Sequence, residues 1–528
     1  MKANKKLGLR SGATLGAAAL VFSAGAAAAD KELLDMLVKN GAINKTQYDT
    51  LLKKADLSKS DVKDAHAGNA HVVLGDKGLE IGSNDGNFKA AIGGRLQLDG
   101  QTNWNSHNLP NATGANTTNA LADGTSLRRA RLHAEGTFFK DYDYKFEYDF
   151  TRGPGTTAAG VTDAYIRWNA LKPFALTVGQ FKEPFSLEEA TSNRFLTFIE
   201  RNMAVNAFSD NPNAYRIGAM GSYSEQRWMA AGALMSESVG GSGLTCNAAG
   251  TCTNVNGATL YNTSSVNTNG NANRNNGSGN SSWDVTGRVA GRPWYNSETE
   301  FLHVGASGSY RTINNNYTGN SAFNNGGTLF AASIGNVDRT ALLNTGNLTK
   351  GNKGAAGSYE LDHYTRFGAE SALVYGPFSM QGEYIRTGLQ GNGYKDEVLE
   401  GYYGYGSYFL TGESRKYKAS TGAWDRITPS RNFDMNGGWG AWEVAAGYDY
   451  LNLKDGTVNG GRAQTAKIGL NWYPNSHVRL MANYVHVLNI DTAPTASGTT
   501  VVNQPGARSQ AFNNTNPDML QFRAQVDF

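Results

Sequence analysis

The chain has 528 residues, 40% of them hydrophobic and 18% charged, with 48 Lys and Arg against 45 Asp and Glu. A formal charge of only +3 excludes a partner chosen by bulk charge, such as nucleic acid. Two cysteines are too few for a disulfide-built scaffold or a multi-thiolate metal site.

The chain opens MKANKKLGLR, with Lys2, Lys5, Lys6 and Arg10, and continues into the small-residue apolar run SGATLGAAALVFSAG. Ala27-Ala28-Ala29 then precede Asp30. Basic head, short apolar core and A-x-A site predict a secretory signal peptide over residues 1–29, the alternative being a buried N-terminal helix. Removal of its four basic residues brings the formal charge from +3 to about −1, so any basic site must be local. In KELLDMLVKNGAINKTQYDTLLKKA, Leu33, Leu34, Leu37 and Val38 recur at helical spacing, and Asn44 with Gln47 reads as a capping box. Residues 30–72 are predicted to be a periplasmic helical segment and linker, with a helical hairpin over 30–58. Trimerisation, cell-wall contact and plain solvated linkage all fit it.

Residues 141–150 read DYDYKFEYDF. Aromatic and charged residues alternate strictly, the period of a strand with an apolar medium on one face and water on the other. Alone, this would suit a half-buried strand of a soluble sandwich. Sixteen segments of similar alternation follow one another near 87–104, 126–139, 141–152, 160–169, 173–182, 214–224, 226–236, 281–292, 299–312, 360–374, 376–388, 398–411, 439–453, 462–473, 476–489 and 518–528. No mature segment carries about 18 consecutive apolar residues, as a membrane-spanning helix would need. A closed barrel crosses a bilayer without one, because closure pairs every backbone donor and acceptor. An all-β, 16-stranded antiparallel transmembrane barrel over 86–528 is the expected fold, with aromatic rows toward lipid and charged rows toward a water-filled lumen.

The connections mostly alternate short (SEQ at 224–226, YGP at 375–377, YPN at 473–475) and long (about 105–125, 183–213, 237–280, 313–359, 490–517). An exception is 412–438, long on the side of the short turns. Cys246 and Cys252, as CNAAGTC, lie in a Gly/Asn/Ser/Thr-rich loop, and in an oxidising compartment they predict a local disulfide. The closing segment MLQFRAQVDF puts Leu520, Phe522, Ala524, Val526 and Phe528 on one face. An apolar row ending on Phe resembles the last strand of bacterial outer-membrane barrels.

By alternation Arg95, Arg129, Arg131, Lys145, Arg167 and Arg479 face the lumen, with Asp99, Glu135, Asp143, Glu147 and Asp163. Arg128 counts as outward, which places it at the rim unless its strand is irregular. Mixed charges on such a wall also fit simple local pairing.

FKAAIGGRLQLD, LRRARLHAEGTFFKDYDYKFEYDFT, LEEATSNRFLTFIERNM, GYYGYGSYFLTGES, GAWEVAAGYDY and IGLNWYPNSHVRLMANYV resemble the phosphate-selective porins O and P, from about residue 86 to the C-terminus. The resemblance implies a homotrimer in the outer membrane, among lipid and lipopolysaccharide, passing small anions such as phosphate or polyphosphate with no cofactor or metal. It implies that 183–213 folds inward as a constriction loop and that 412–438 enters the barrel. It implies an arginine ladder at Arg95, Arg128 and Arg129, and a phosphate-contacting loop at Ser192, Asn193 and Arg201, with Arg194 in the place of a basic residue. The chain departs from the pattern at Glu189, where a phosphate-binding lysine is expected, at Asn193, which replaces a serine, and in the absence of wall lysines after GEYIRTGLQ. Glu189 is therefore expected to limit phosphate affinity. A general or differently selective porin, and an adhesin or receptor barrel, are the alternatives. An enzyme reading has neither G-x-S-x-G nor H-E-x-x-H behind it.

Overall fold

The computed structural model describes residues 70–75, 78–105, 121–151, 160–210, 215–236, 245–246, 251–253, 259–262, 283–312, 330–346, 348, 357–495, 501–502 and 504–528. The signal peptide and most of the predicted helical segment lie outside these residues. The chain divides into units Met1–Ala70 and His71–Phe528.

In the second unit the long strands are β1 (Phe88–Trp104), β2 (Gly124–Phe138), β3 (Tyr142–Asp149), β4 (Val161–Trp168), β5 (Phe174–Lys182), β6 (Tyr215–Ser224), β7 (Trp228–Met235), β8 (Asp284–Ser297), β9 (Glu300–Thr312), β10 (Glu360–Tyr375), β11 (Phe378–Asn392), β12 (Val398–Phe409), β13 (Ala441–Asp455), β14 (Val458–Tyr473), β15 (Val478–Asp491) and β16 (Asp518–Asp527). Each pairs antiparallel with the next, and β16 pairs back onto β1 from Asp518↔Trp104 to Asp527↔Arg95. The ring of sixteen is closed, β16 covering β1 from Arg95 to Trp104, so the sheet is not left with a free edge along the seam. Phe528 extends the seam: its N–H donates to Gly94 O at 3.0 Å, and the Gly94 N–H donates to Phe528 O at 2.8 Å.

Residues 141–150 behave as their alternation predicts. Tyr142, Phe146 and Phe150 are exposed on the outer wall, whereas Glu147 and Asp149 are buried on the inner one. The same exchange runs along β1, where Ile92, Leu96 and Leu98 are outside and Arg95, Gln97 and Asp99 inside. Aromatic rings gather near the short turns: Phe138 stacks on Tyr142 at 5.1 Å, Phe174 meets Tyr223 at 5.2 Å, and Trp442 stacks on Trp472 at 5.4 Å. Rings of this kind suit the level of lipid headgroups.

Two features depart from the sequence reading, and a third decides between alternatives it left open. Strands occupy Ala70–Gly75 and Gly78–Ser83, and the second pairs with β1 from Leu79↔Ile92 to Gly82↔Lys89. The expected linker thus yields to strand by residue 70. Next, β2 carries a bulge. Gln97 faces Arg129 and Leu98 faces Leu127, so Arg128 is the extra residue. The bulge turns Arg128 off the outward row, and its side chain is only 10% exposed.

Last, the inner wall is not polar throughout. Leu361, Ile385, Leu389, Leu399, Leu451 and Val485 form a buried cluster with Phe208, Phe330 and Leu342 from the connections after β5 and β9. The connection 412–438 also reaches inner-wall groups. Arg288 of β8 donates to Thr421 O at 2.9 Å and Gly422 O at 2.7 Å, and Arg415 lies 4.1 Å over the Trp424 ring.

Candidate functional site

Arg95, Arg128, Arg129, Ser192, Asn193 and Arg194 come together where segment 183–210 meets the inner rows of β1, β2 and β16. A short helix, α1 (Leu187–Ala190), begins the segment. Ser186 caps it at φ 64°, its Oγ accepting from Glu189 N at 3.2 Å. The Leu187 and Glu188 N–H groups donate to the Glu383 carboxylate of β11 at 3.0 and 2.7 Å. A carboxylate on free helical N–H groups is a strong anchor, so the entry of the segment is tied to one strand.

Its next residues reach β1. Arg95 Nη1 donates to Asn193 Oδ1 at 2.6 Å and lies 3.4 Å from Ser192 Oγ, while Nη2 pairs with both Glu147 oxygens at 2.6 and 2.7 Å. Glu147 also takes Arg131 Nη1 at 2.8 Å, and Arg131 Nε holds Asp149 at 2.8 Å. Further round the wall, Lys145 pairs with Asp163 at 2.9 Å. Arg167 Nε donates to Thr177 Oγ1 at 3.1 Å, and Arg479 Nη1 to Leu196 O at 2.6 Å. The local pairing that mixed charges imply is the rule on this wall.

Glu189 and Arg201 are partners within the segment. Glu189 Oε2 lies 2.9 Å from Arg201 Nε and Oε1 lies 2.7 Å from Lys182 Nζ, with the Glu189 side chain fully buried. Arg201 also donates to Thr191 O at 3.2 Å, joining the start of the segment to its middle. Arg194 is more open than Arg95, Arg128, Arg129 and Arg201. Its side chain is 23% exposed, its Nη1 lies 3.4 Å from Asp527, and Arg426 of 412–438 pairs with the same carboxylate.

Arg128 and Arg129 meet a residue the sequence reading missed, Glu200. Arg128 Nε and Nη2 donate to its two oxygens at 2.8 and 3.0 Å, Arg523 Nη2 donates at 2.8 Å, and Arg129 Nη1 stands 3.9 Å away. Arg523 is held in turn by Asp99 at 2.7 and 2.8 Å. Burial opposes ionisation of Glu200, yet Arg128, Arg129 and Arg523 together hold its carboxyl well below the usual range. The inward phase of Arg523 was readable from the alternation of the last strand. Glu200 sits in an irregular connection, where no period shows what it touches.

Three guanidiniums face two carboxylates around Glu200 and Asp99. Two cations face Glu189, and two face Asp527. Each cluster holds one positive charge more than its acids. Cys246 and Cys252 are directly opposed Cα partners of a short antiparallel ladder.

The family model for phosphate-selective porin O and P matches residues 96–528. Porin O of Pseudomonas aeruginosa is 29% identical over 435 residues, covering 79% of this chain and 87% of that protein. A Caulobacter vibrioides protein is 26% identical over 404 residues, 76% of this chain and 69% of its own. Among solved structures, the outer-membrane protein OmpT of Vibrio cholerae matches with a TM-score of 0.44 at 9% identity, over 84% of this chain and 98% of its own. The anion-selective porin of Comamonas acidovorans matches with a TM-score of 0.43 at 10% identity, over 84% and 100%. With its strands closed into a sixteen-membered barrel and the family match running to the last residue, the chain belongs to the phosphate-selective porin O and P family of outer-membrane β-barrel porins.

Proposed function

We propose that the chain forms a homotrimer of water-filled channels through which small anions diffuse passively, phosphate-class oxyanions among them, with segment 183–210 as the constriction. The observation that carries this reading is the positive surplus in each of the three clusters along that segment. Excess guanidinium or ammonium charge beside a pore favours anions. A guanidinium also presents a planar donor fork that fits two oxygens of a phosphate. The constriction role is supported by contacts of 183–210 with inner-row side chains of β1, β11, β15 and β16. On this reading Arg95 with Ser192 and Asn193, Arg194 beside Asp527, and Arg128 with Arg129 are successive weak stops for an anion.

A differently selective porin is the second reading. It is favoured by the close pairing of Arg95 with Glu147 and of Arg201 with Glu189, which leaves little of either charge unopposed. Titration of inorganic phosphate against the chloride current of the purified wild-type channel separates the two. Saturable block supports oxyanion binding in the pore, and current that ignores phosphate favours the second reading.

A further inference from the structure

The Glu200 carboxylate occupies a cradle shaped for an oxyanion. Arg128 grips both of its oxygens at 2.8 and 3.0 Å, and Arg523 reaches one of them at 2.8 Å from the opposite side of the barrel seam. Paired parallel N–H donors are how guanidiniums hold two oxygens of a phosphate or sulfate. Arg129, 3.9 Å from Glu200, makes a hydrogen bond to Gln97 at 2.9 Å, and its buried Nε has no hydrogen-bond partner. Donor capacity beyond what one carboxylate uses is therefore present. Exposure is also uneven: the Glu200 side chain is 17% exposed, against 10% for Arg128, 4% for Arg129, 1% for Arg523 and 0% for Asp99. The part of the cluster nearest solvent is the acid that fills it.

We propose that Glu200 is a tethered counter-ion which competes with solute oxyanions for the Arg128–Arg129–Arg523 cradle. A carboxylate on the protein's own loop is present at high effective concentration, so it weakens anion binding without removing the site. Conduction needs that balance, since an ion must be attracted enough to enter and held loosely enough to leave. Arg523 and Glu200 thereby become determinants of specificity beside Arg128 and Arg129. No bond is made or broken in the exchange: the carboxylate turns aside, the oxyanion takes its donors, and the carboxylate returns when the ion moves on.

The inference rests on the porin reading above, and its test is separable from it. Purified wild-type, Glu200→Gln and Glu200→Gln/Arg128→Gln channels are compared in planar bilayers, with inorganic phosphate titrated against the chloride current. Glu200→Gln is expected to lower the half-blocking phosphate concentration on the order of tenfold, the effect of removing one unit charge a few ångströms from the ion in a wet pore. The double variant is expected to lose most of that gain. Equal half-block in wild type and Glu200→Gln would overturn the proposal. If Glu200→Gln gives no channels, Glu200→Asp, whose carboxylate sits one methylene further back, is expected to shift block in the same direction by less. No shift there, or no channels from either variant, makes Glu200 a brace and ends the counter-ion role. If the wild type shows no anion preference while Glu200→Gln gains phosphate block, the porin's proposed selectivity fails and the cradle stands. The converse pattern removes the cradle alone.

Discussion

Replacing Glu189 with glutamine tests whether ion pairing inside segment 183–210 holds it in place. The carboxylate is fully buried between Arg201, 3% exposed, and Lys182, 21% exposed. Removing one member of a buried pair costs about 3–5 kcal/mol, because the remaining charge stays buried without compensation. Lys182 borders solvent and relaxes into it, so its share is discounted toward the roughly 0–1 kcal/mol of an exposed pair. Arg201 keeps a hydrogen bond to Thr191 O at 3.2 Å, which offsets part of its loss. A net weakening of about 2–3 kcal/mol in the docking of the segment results, a factor of roughly 30–150 in its undocked population. Single-channel recording should show added open-state noise or sub-conductance steps in Glu189→Gln, and less of both in Glu189→Asp. Wild-type noise, conductance and heat-dissociation temperature in Glu189→Gln would refute the anchoring argument.

Deleting Phe528 removes its two backbone hydrogen bonds to Gly94 at the seam, worth about 1–3 kcal/mol together. The amount of heat-modifiable, folded barrel in outer membranes should fall, and an unchanged yield would count against a sealing role. Cys246 and Cys252 are Cα partners, so non-reducing mass spectrometry should find one intramolecular bridge, and reduction should leave conductance as it was; free thiols would contradict this. Arg194→Gln removes a charge that is 23% exposed, and solvent screening limits its effect to about a twofold drop in the anion-to-cation permeability ratio. An unaltered ratio would take Arg194 off the ion path.

The strands were legible where each row meets one medium. Tyr142, Phe146 and Phe150 face outward while Glu147 and Asp149 face inward, and no long-range knowledge is needed to see it. The pattern failed where a second structure intervened. Counting by two puts Arg128 outward unless its strand is irregular, and the extra residue of a bulge, which no period locates, supplies that irregularity. Leu361, Ile385 and Leu399 are inward and apolar because Phe208 and Phe330, from connections remote in sequence, cover them. Arg95 was found by its phase in the strand. That it is held by Glu147 and Asn193, and that Glu189 lies against Arg201, depends on an irregular segment whose contacts no period encodes.

The central claim is that the surplus of cations along segment 183–210 makes this barrel an anion-preferring channel. The zero-current potential of purified wild-type channels in a KCl gradient measures that preference directly. The account predicts a potential displaced toward the chloride equilibrium value, shrinking as salt screens the fixed charges. A potential at zero, or one displaced toward the potassium value, would contradict it.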